Sequence, residues 1–358
     1  MDSNEIDQQL EKVDHQLIDL LNQRFALAQQ VAACKQHRGI AAYAPEQQAT
    51  LLSELQSVNR GPMPAPVLRA IYREIISGSL ALSANVRVAY LGPEGTFTNQ
   101  AALQHFGSSV EYLPQPTITD GFEAVERERV SYAVVPVENS TEGAVTHTLD
   151  MFLDTKVQIC AEIHMPIHHH VLSHLPLKAI KRLYSHPQVF GQCRRWLHLN
   201  MPDVAQIEVA STTDAASRCT EAGSGALAGA LAAAKFQLPI QAHNIEDTSI
   251  NTTRFLVLGR QMPSSSGDDK TSLLFVIRDR VGALYECLRA FHQHAINLSF
   301  IESRPSKRKS WEYHFFVDFR GHCHDAKVAA TLDELANHCQ YVKILGSYPR
   351  APDHDLQP

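Results

Sequence analysis

Along the first 84 residues the apolar positions recur in steps of four and three: Ile6, Leu10, Val13, Leu17, Leu20, Leu27 and Val31. That spacing is close to the coiled-coil period and predicts one long helix, ended by Gly39. Pro45 marks the start of a second helix. Ala65-Pro66 opens a third, which runs to about Ser83. A first helix of about 30 residues cannot bury its seam against two short ones, so an intertwined homodimer or higher homo-oligomer is expected.

From Val86 the period changes to strand, polar loop and helix, repeated. Arg87–Leu91, Tyr132–Val137 and Arg182–Tyr184 read as strands. They lead into the loops 92–97, 138–141 and 185–187. This alternation predicts a parallel α/β sheet whose ligands sit beyond the carboxyl ends of the strands. Residues 259–269, with Pro263-Ser264-Ser265-Ser266-Gly267, form a linker by composition. Beyond it the order is βαββαβ, a ferredoxin-like α+β unit. Three domains follow: a helical one over 1–84, an α/β one over 85–262 and an α+β one over 268–350.

Composition narrows the function classes. The 358 residues carry 32 Lys plus Arg against 38 Asp plus Glu, a net charge of −6. There is no basic footprint for nucleic acid. No apolar run reaches the roughly 20 residues of a membrane span. Asp2, Glu5 and Asp7 stand where a signal peptide would be basic. The 7 cysteines include no CxxC pair and read as reduced thiols of a cytoplasmic protein. Neither a disulfide framework nor a zinc site is expected.

Several residues carry candidate chemistry. Arg24 occupies an apolar slot of the first helix, and Lys35 lies three turns on along the same face. Two cations there need an anion, supplied either by structural salt bridges or by a bound ligand, unless their stems reach solvent. Glu138-Asn139, Ser185-His186-Pro187 and Asn251-Thr252-Thr253-Arg254 flank apolar strands. Each reads either as an ordinary turn or cap or as part of a polar site at one sheet edge. His164, His168, His169 and His170 could converge in pairs at most, because adjacent strand residues face opposite ways. His322-Cys323-His324 is a still weaker metal motif. Gly92-Pro93-Glu94-Gly95 lacks the Gly-Lys-Ser/Thr ending of a phosphate loop.

The motifs "YLGPEGTFT" (90–98), "VVPVENSTEGA" (134–144), "YSHPQVFGQC" (184–193) and "NTTRF" (251–255) occur in the order of the prephenate dehydratase signatures. Over residues 5 to 350 the chain resembles the P-protein family of bifunctional chorismate mutase–prephenate dehydratases. The resemblance implies an intertwined helical mutase domain, then two α/β subdomains similar to periplasmic binding proteins, then an ACT regulatory domain. It implies that chorismate becomes prephenate, and prephenate becomes phenylpyruvate with loss of CO₂ and water. No cofactor is needed, because aromatisation drives the second step. Feedback by L-phenylalanine is also implied.

Residue by residue, the resemblance implies Thr253 as the key catalytic hydroxyl, with Glu138 as the alternative proton donor. Ser185 and Gln192 accompany them at the cleft. Asn139, Arg254 and Phe255 complete the substrate surroundings, Arg254 either holding a carboxylate or serving structure. Gly282-Ala283-Leu284 and Glu302-Ser303-Arg304-Pro305 match the two effector-binding motifs. In the helical domain Arg24, Lys35, Gln48 and Ser79 match mutase substrate-binding positions. There the chain departs from the family: Asp7 and Gln47 stand where two arginines are expected, and Ala44 and Ser83 replace further polar positions. Each missing charge-assisted hydrogen bond is worth about 1.5–3 kcal/mol, so mutase activity is expected to be weak or lost. The competing readings are a dehydratase whose helical part serves only dimerisation, an arogenate dehydratase acting on the aminated substrate, and a non-catalytic phenylalanine sensor. The intact Thr253-Arg254-Phe255 argues against the sensor.

Overall fold

The computed structural model describes residues 2–248, 250–306 and 312–351. Three helices open the chain: α1 (Ser3–His37), α2 (Pro45–Val58) and α3 (Ala65–Ala84). The 35 residues of α1 include none that is buried. Its seam from Ile6 to Val31 is 49–61% exposed at the seven positions of the repeat. On the other side, Phe25 packs on Gly78 of α3. That helix docks onto the middle of the chain through Ser77, fully buried, whose hydroxyl accepts from the Ser109 amide at 2.9 Å. Glu74 accepts from the Ser108 amide at 2.8 Å and from its hydroxyl at 2.7 Å.

The middle of the chain forms two lobes. The first is built by β1 (Arg87–Leu91), α4 (Phe97–Phe106), β2 (Glu111–Gln115), α5 (Ile118–Glu126), β3 (Tyr132–Asn139), β4 (Gly143–Ala144), α6 (Thr146–Met151) and β5 (Gln158–Pro166). The second contains β6 (His170–Leu172), β7 (Arg182–Ser185), α7 (Pro187–Gln192), α8 (Arg194–Asn200), β8 (Ala205–Glu208), α9 (Thr212–Ser217), β9 (Ser224–Ala228), α10 (Ala230–Lys235) and β10 (Ile240–Ala242). Its sheet has the order β10-β6-β9-β7-β8. The chain then returns to the first lobe as β11 (Thr252–Gly259), giving the order β2-β1-β3-β11-β5 with β4 beside β3.

This return alters the expected all-parallel sheet. The β2, β1 and β3 strands are parallel, but β11 runs antiparallel to both β3 and β5. In the second lobe β6 is likewise antiparallel to β9 and β10. The reason is topological: β11 enters from the second lobe, so its first residues must lie where β3 ends. The register sets Thr253 opposite Asn139 and Arg254 opposite Glu138.

The last unit is β12 (Asp269–Ile277), α11 (Ala283–Gln293), β13 (Leu298–Pro305), β14 (Tyr313–Arg320), α12 (Ala326–His338) and β15 (Cys339–Pro349). Its antiparallel sheet has the order β13-β14-β12-β15. It shares a core with the first lobe: Leu274, Phe316, Leu345 and Tyr348 pack with Phe122, Phe152, Ile159 and Leu258. A Cβ on Gly346 would fall 2.8 Å from Ile159 Cβ and 2.9 Å from its backbone nitrogen, so only glycine lets β15 lie this close to β5. Lys343 donates to the carbonyl of Phe152 at 2.7 Å across the same seam. No helix is long and apolar enough to cross a membrane among the described residues.

Candidate active site

Two crossings join the lobes, one through residues 167–169 and one that includes residues 243–248 and 250–251. They are tied together: the Ile167 amide donates to the Asn251 carbonyl at 2.7 Å, and the Ile245 amide to the His169 carbonyl at 2.9 Å. Beside them the carboxyl end of β3 and the start of β11 form a polar cluster. Asn139 Nδ2 donates to Thr253 Oγ1 at 2.8 Å and to Asn251 Oδ1 at 2.9 Å. Asn139 Oδ1 accepts from the Thr141 amide at 3.0 Å, the Thr141 hydroxyl at 2.6 Å and the Glu142 amide at 3.1 Å. Those two amides can only donate, which fixes which end of the Asn139 side chain faces Thr253. Thr253 Oγ1 therefore accepts from Asn139, and its own hydrogen remains to donate.

Gln192, at the end of α7, brings in the second lobe. Its Oε1 lies 2.8 Å from His169 Nε2 and 3.2 Å from Asn251 Nδ2. Its Nε2 reaches Glu142 at 3.3 Å and Thr141 at 3.4 Å. Burial pushes the His169 imidazole below its ordinary range, against the opposing pull of Gln192 and Glu246. A neutral ring donating from Nε2 leaves Nδ1 bare, and that nitrogen is buried without a hydrogen-bond partner. Phe97 packs edge-on against the ring at 5.4 Å. Outside this cluster Lys235 pairs with Glu94 at 2.7 Å, a further clasp between the lobes.

The structure thus brings Thr253, Asn139 and Gln192 together and separates the others expected there. Ser185 is fully buried, and its hydroxyl donates to the Leu227 carbonyl at 2.9 Å, so it ties β7 to β9 rather than joining the cluster. Phe255 is a core residue packed with Tyr90, Ala101 and Val134. Arg254 and Glu138 lie on the opposite sheet face from Thr253 and Asn139, as neighbours on a strand must. The expected role of Arg254 at a substrate carboxylate is corrected by its partners. Its guanidinium is buried against Glu162 at 2.9 Å, Asp318 at 2.5 Å and Tyr348 at 2.9 Å. Glu138 lies 3.9 Å from the same guanidinium, on the side away from Thr253.

His169 and Asn251 stood in candidate runs of the sequence, but neither was assigned a role of its own there. The signal for both was their place beside the motifs: Asn251 opens the NTTRF run, and His169 sits in a run of three histidines that spans the end of a lobe crossing and the start of β6. The other histidine motif has structural work. His322 Nε2 lies 3.2 Å from the Pro263 carbonyl and Nδ1 accepts from the His324 amide at 3.2 Å, so both ring nitrogens already hold backbone.

In the helical segment Arg24 donates to Ser79 at 3.1 Å, and Lys35 to Gln47 at 3.0 Å. Burial lowers the Lys35 ammonium, and Glu46 opposes that shift. Gln48 is half-buried next to Gln47. A helix rises about 1.5 Å per residue, so Asp7 stands roughly 25 Å from Arg24 along α1. Within one chain, position 7 cannot face the ligand that Arg24 would hold.

At the last sheet, Gly282 precedes α11 with φ +80, a left-handed conformation, and nothing lies within 4 Å of where its Cβ would be. Ala283 is buried and Leu284 half-buried. The β12 and β13 strands run in the same direction, so Gly282 and the 302–305 motif lie at one sheet edge. Ser303 and Pro305 are exposed there, and Glu302 is half-buried. Arg304 instead reaches Asp150 of α6 at 3.2 Å.

A helical arm, a two-lobed α/β body with a hydroxyl–amide cluster at the lobe crossing, and a docked ferredoxin-like sheet define a cleft enzyme carrying an ACT-type module. Family models agree: chorismate mutase type II matches residues 6–84, prephenate dehydratase 88–263 and the ACT domain 271–337. The chain is 44% identical to the bifunctional chorismate mutase/prephenate dehydratase of Aquifex aeolicus over 97% of this chain and 98% of that one. It is 33% identical to an Arabidopsis thaliana arogenate dehydratase/prephenate dehydratase over 74% of this chain and 72% of the relative. A solved prephenate dehydratase from Arthrobacter aurescens, in complex with L-Phe, superposes with a TM-score of 0.69 at 33% identity, covering 76% of this chain and 92% of that one. The chain belongs to the bifunctional chorismate mutase/prephenate dehydratase family.

Proposed function

We propose that Thr253 is the hydroxyl donor of a prephenate dehydratase, and that the observation carrying this role is its bond from Asn139. The chain is an enzyme of L-phenylalanine biosynthesis, a prephenate dehydratase fused to a chorismate mutase domain. In the dehydratase step the ring carboxylate leaves as CO₂ and the bond's electron pair passes into the ring. The ring hydroxyl departs as the ring becomes aromatic, yielding phenylpyruvate. Hydroxide is a poor leaving group and needs a donor at its oxygen. A threonine whose oxygen is already occupied as an acceptor presents its hydrogen outward. Gln192 and His169 bring the second lobe up to the same cluster through Asn251. Glu138, on the far face, is not placed to donate beside it. The arogenate reading uses the same hydroxyl; turnover of the two substrates compared side by side separates it.

The mutase site is completed by a second copy. Arg24 and Lys35 stand about 16 Å apart along α1, and the exposed seam is covered by pairing with another α1. The partner's N-terminal turn then brings its own Asp7 to the site, where a dianionic substrate meets a carboxylate. Gln47 in turn uses its carbonyl on Lys35. The mutase is therefore slow. L-phenylalanine binds at the edge formed by Gly282–Leu284 and Glu302–Pro305, and the assembly is a cytoplasmic homodimer or a higher homo-oligomer.

The test supplies chorismate and prephenate separately to purified protein. Phenylpyruvate formation from prephenate is expected, with slow consumption of chorismate. Thr253→Ala is expected to lower dehydratase kcat by about 10²–10³-fold while leaving phenylalanine binding intact. Wild-type turnover in that variant would remove Thr253 from the reaction.

A further inference from the structure

The face of β11 that points away from Thr253 carries a buried cluster that the chemistry does not use. Arg254 donates to Glu162 from Nε at 2.9 Å, to Asp318 from Nη1 at 2.5 Å and to the Tyr348 hydroxyl from Nη2 at 2.9 Å. Lys270 meets the same Glu162 oxygen at 2.6 Å. Ser272 donates to the other oxygen of Asp318 at 2.6 Å and lies 2.7 Å from Tyr348 Oη. The six residues are each at most 8% exposed. Arg254 and Glu162 belong to β11 and β5 of the first lobe; Lys270, Ser272, Asp318 and Tyr348 belong to the ACT sheet.

Such a cluster is a poor source of net stability, because well-packed apolar side chains in the same space do as well or better. Its distinguishing property is directional: a guanidinium fork accepts only one arrangement of partners. One of those partners is coupled to the effector edge. Asp318 lies on β14, paired with Phe300 of β13, and Glu302 pairs with Phe316 two residues away on the same two strands. A shift of β13 on binding phenylalanine therefore moves the strand that carries Asp318. Arg254 is adjacent to Thr253, and its Nη1 lies 3.9 Å from Glu138, which precedes Asn139. The effector strand has a second hold on the same lobe, through Arg304 and Asp150 at 3.2 Å.

We propose that Arg254 is a positioning residue, and that its pairing with Asp318 is the contact by which the ACT sheet sets the placement of Thr253 and so transmits feedback. This rests on the reading of Thr253 as the reacting hydroxyl. Coupling of this kind is reciprocal, so substrate and effector should each alter the other's affinity through the same contact.

The experiment uses the full chain and three variants. Asp318→Asn keeps the shape and removes the charge. It is expected to bind phenylalanine within about threefold of wild type by calorimetry, to turn over prephenate, and to need at least about tenfold more phenylalanine for half-inhibition. Tyr348→Phe, which removes one hydroxyl, should shift inhibition in the same direction if Asp318→Asn fails to fold. Arg254→Lys is expected to lower kcat with KM within about threefold, whereas an arginine that held substrate would raise KM. Inhibition unchanged in both Asp318→Asn and Tyr348→Phe would overturn the proposal, as would a purely KM effect in Arg254→Lys. Amide exchange of residues 252–256, with and without phenylalanine, gives a readout that needs no turnover. Protection by phenylalanine in wild type but not in Asp318→Asn supports the contact even if prephenate proves not to be the substrate. Equal protection in both overturns it.

Discussion

The helical arm and the ACT sheet flank the same two-lobed body, yet they are attached in opposite ways. The first arm helix buries no residue and leaves its apolar seam open. The ACT sheet shares a hydrophobic core with the first lobe and lays β15 against β5 at a glycine. The arm's apolar seam is uncovered within one chain, whereas one face of the ACT sheet is already covered by the first lobe. On the proposed readings, an effector signal passes inside a single subunit, whereas the mutase site draws on two.

The largest effect should come from spoiling the arm's seam. Leu17→Glu places a charge in the exposed seam, where pairing with another α1 is proposed, and desolvating it should weaken that association by on the order of 10³. Sedimentation should show dissociation toward monomer with loss of chorismate turnover, while prephenate turnover persists. An unchanged oligomer would mean that the seam is covered by something else. Next is the ACT seam: Gly346→Val drives side-chain atoms into Ile159, costing about 3 kcal/mol, seen as an earlier unfolding midpoint and weakened feedback. Gln47→Arg should raise the chorismate rate by about 10–10²-fold, the worth of one charge-assisted hydrogen bond. No gain would place the mutase defect elsewhere.

The smallest effect concerns the joint between arm and body, where Tyr43 hydrogen-bonds His105. Burial pushes the His105 imidazole down to about 4. The folded value lies below the unfolded one near 6.5, so the unfolded chain takes up its proton first as pH falls. Stability present above pH 6.5 is lost on the way down, by about 1 kcal/mol at pH 5.5. His105→Asn should remove that portion of the slope in pH-dependent denaturation.

Much of this was legible beforehand. The step of four and three along α1, the loops after β1, β3 and β7, and the βαββαβ order are local patterns, and local patterns survive into structure. Three of the dehydratase motifs contribute to the Thr253 cluster, through Asn139, Gln192 and Thr253. The direction of β11 was not legible, because it depends on where the chain re-enters the first lobe after a long excursion. Nor were the destinations of Ser185 and Arg254: each lies in a site-like motif, and each is taken up by a partner remote in sequence, Leu227 for one and Asp318 for the other.

The sequence by itself determined the periods and the motif order, because these depend on residues close along the chain. Only the tertiary structure decided which face of β11 meets the cleft and which meets the ACT sheet. A strand turns consecutive side chains to opposite sides, so Thr253 and Arg254 were bound to separate; what lies on either side is set by the packing of distant elements.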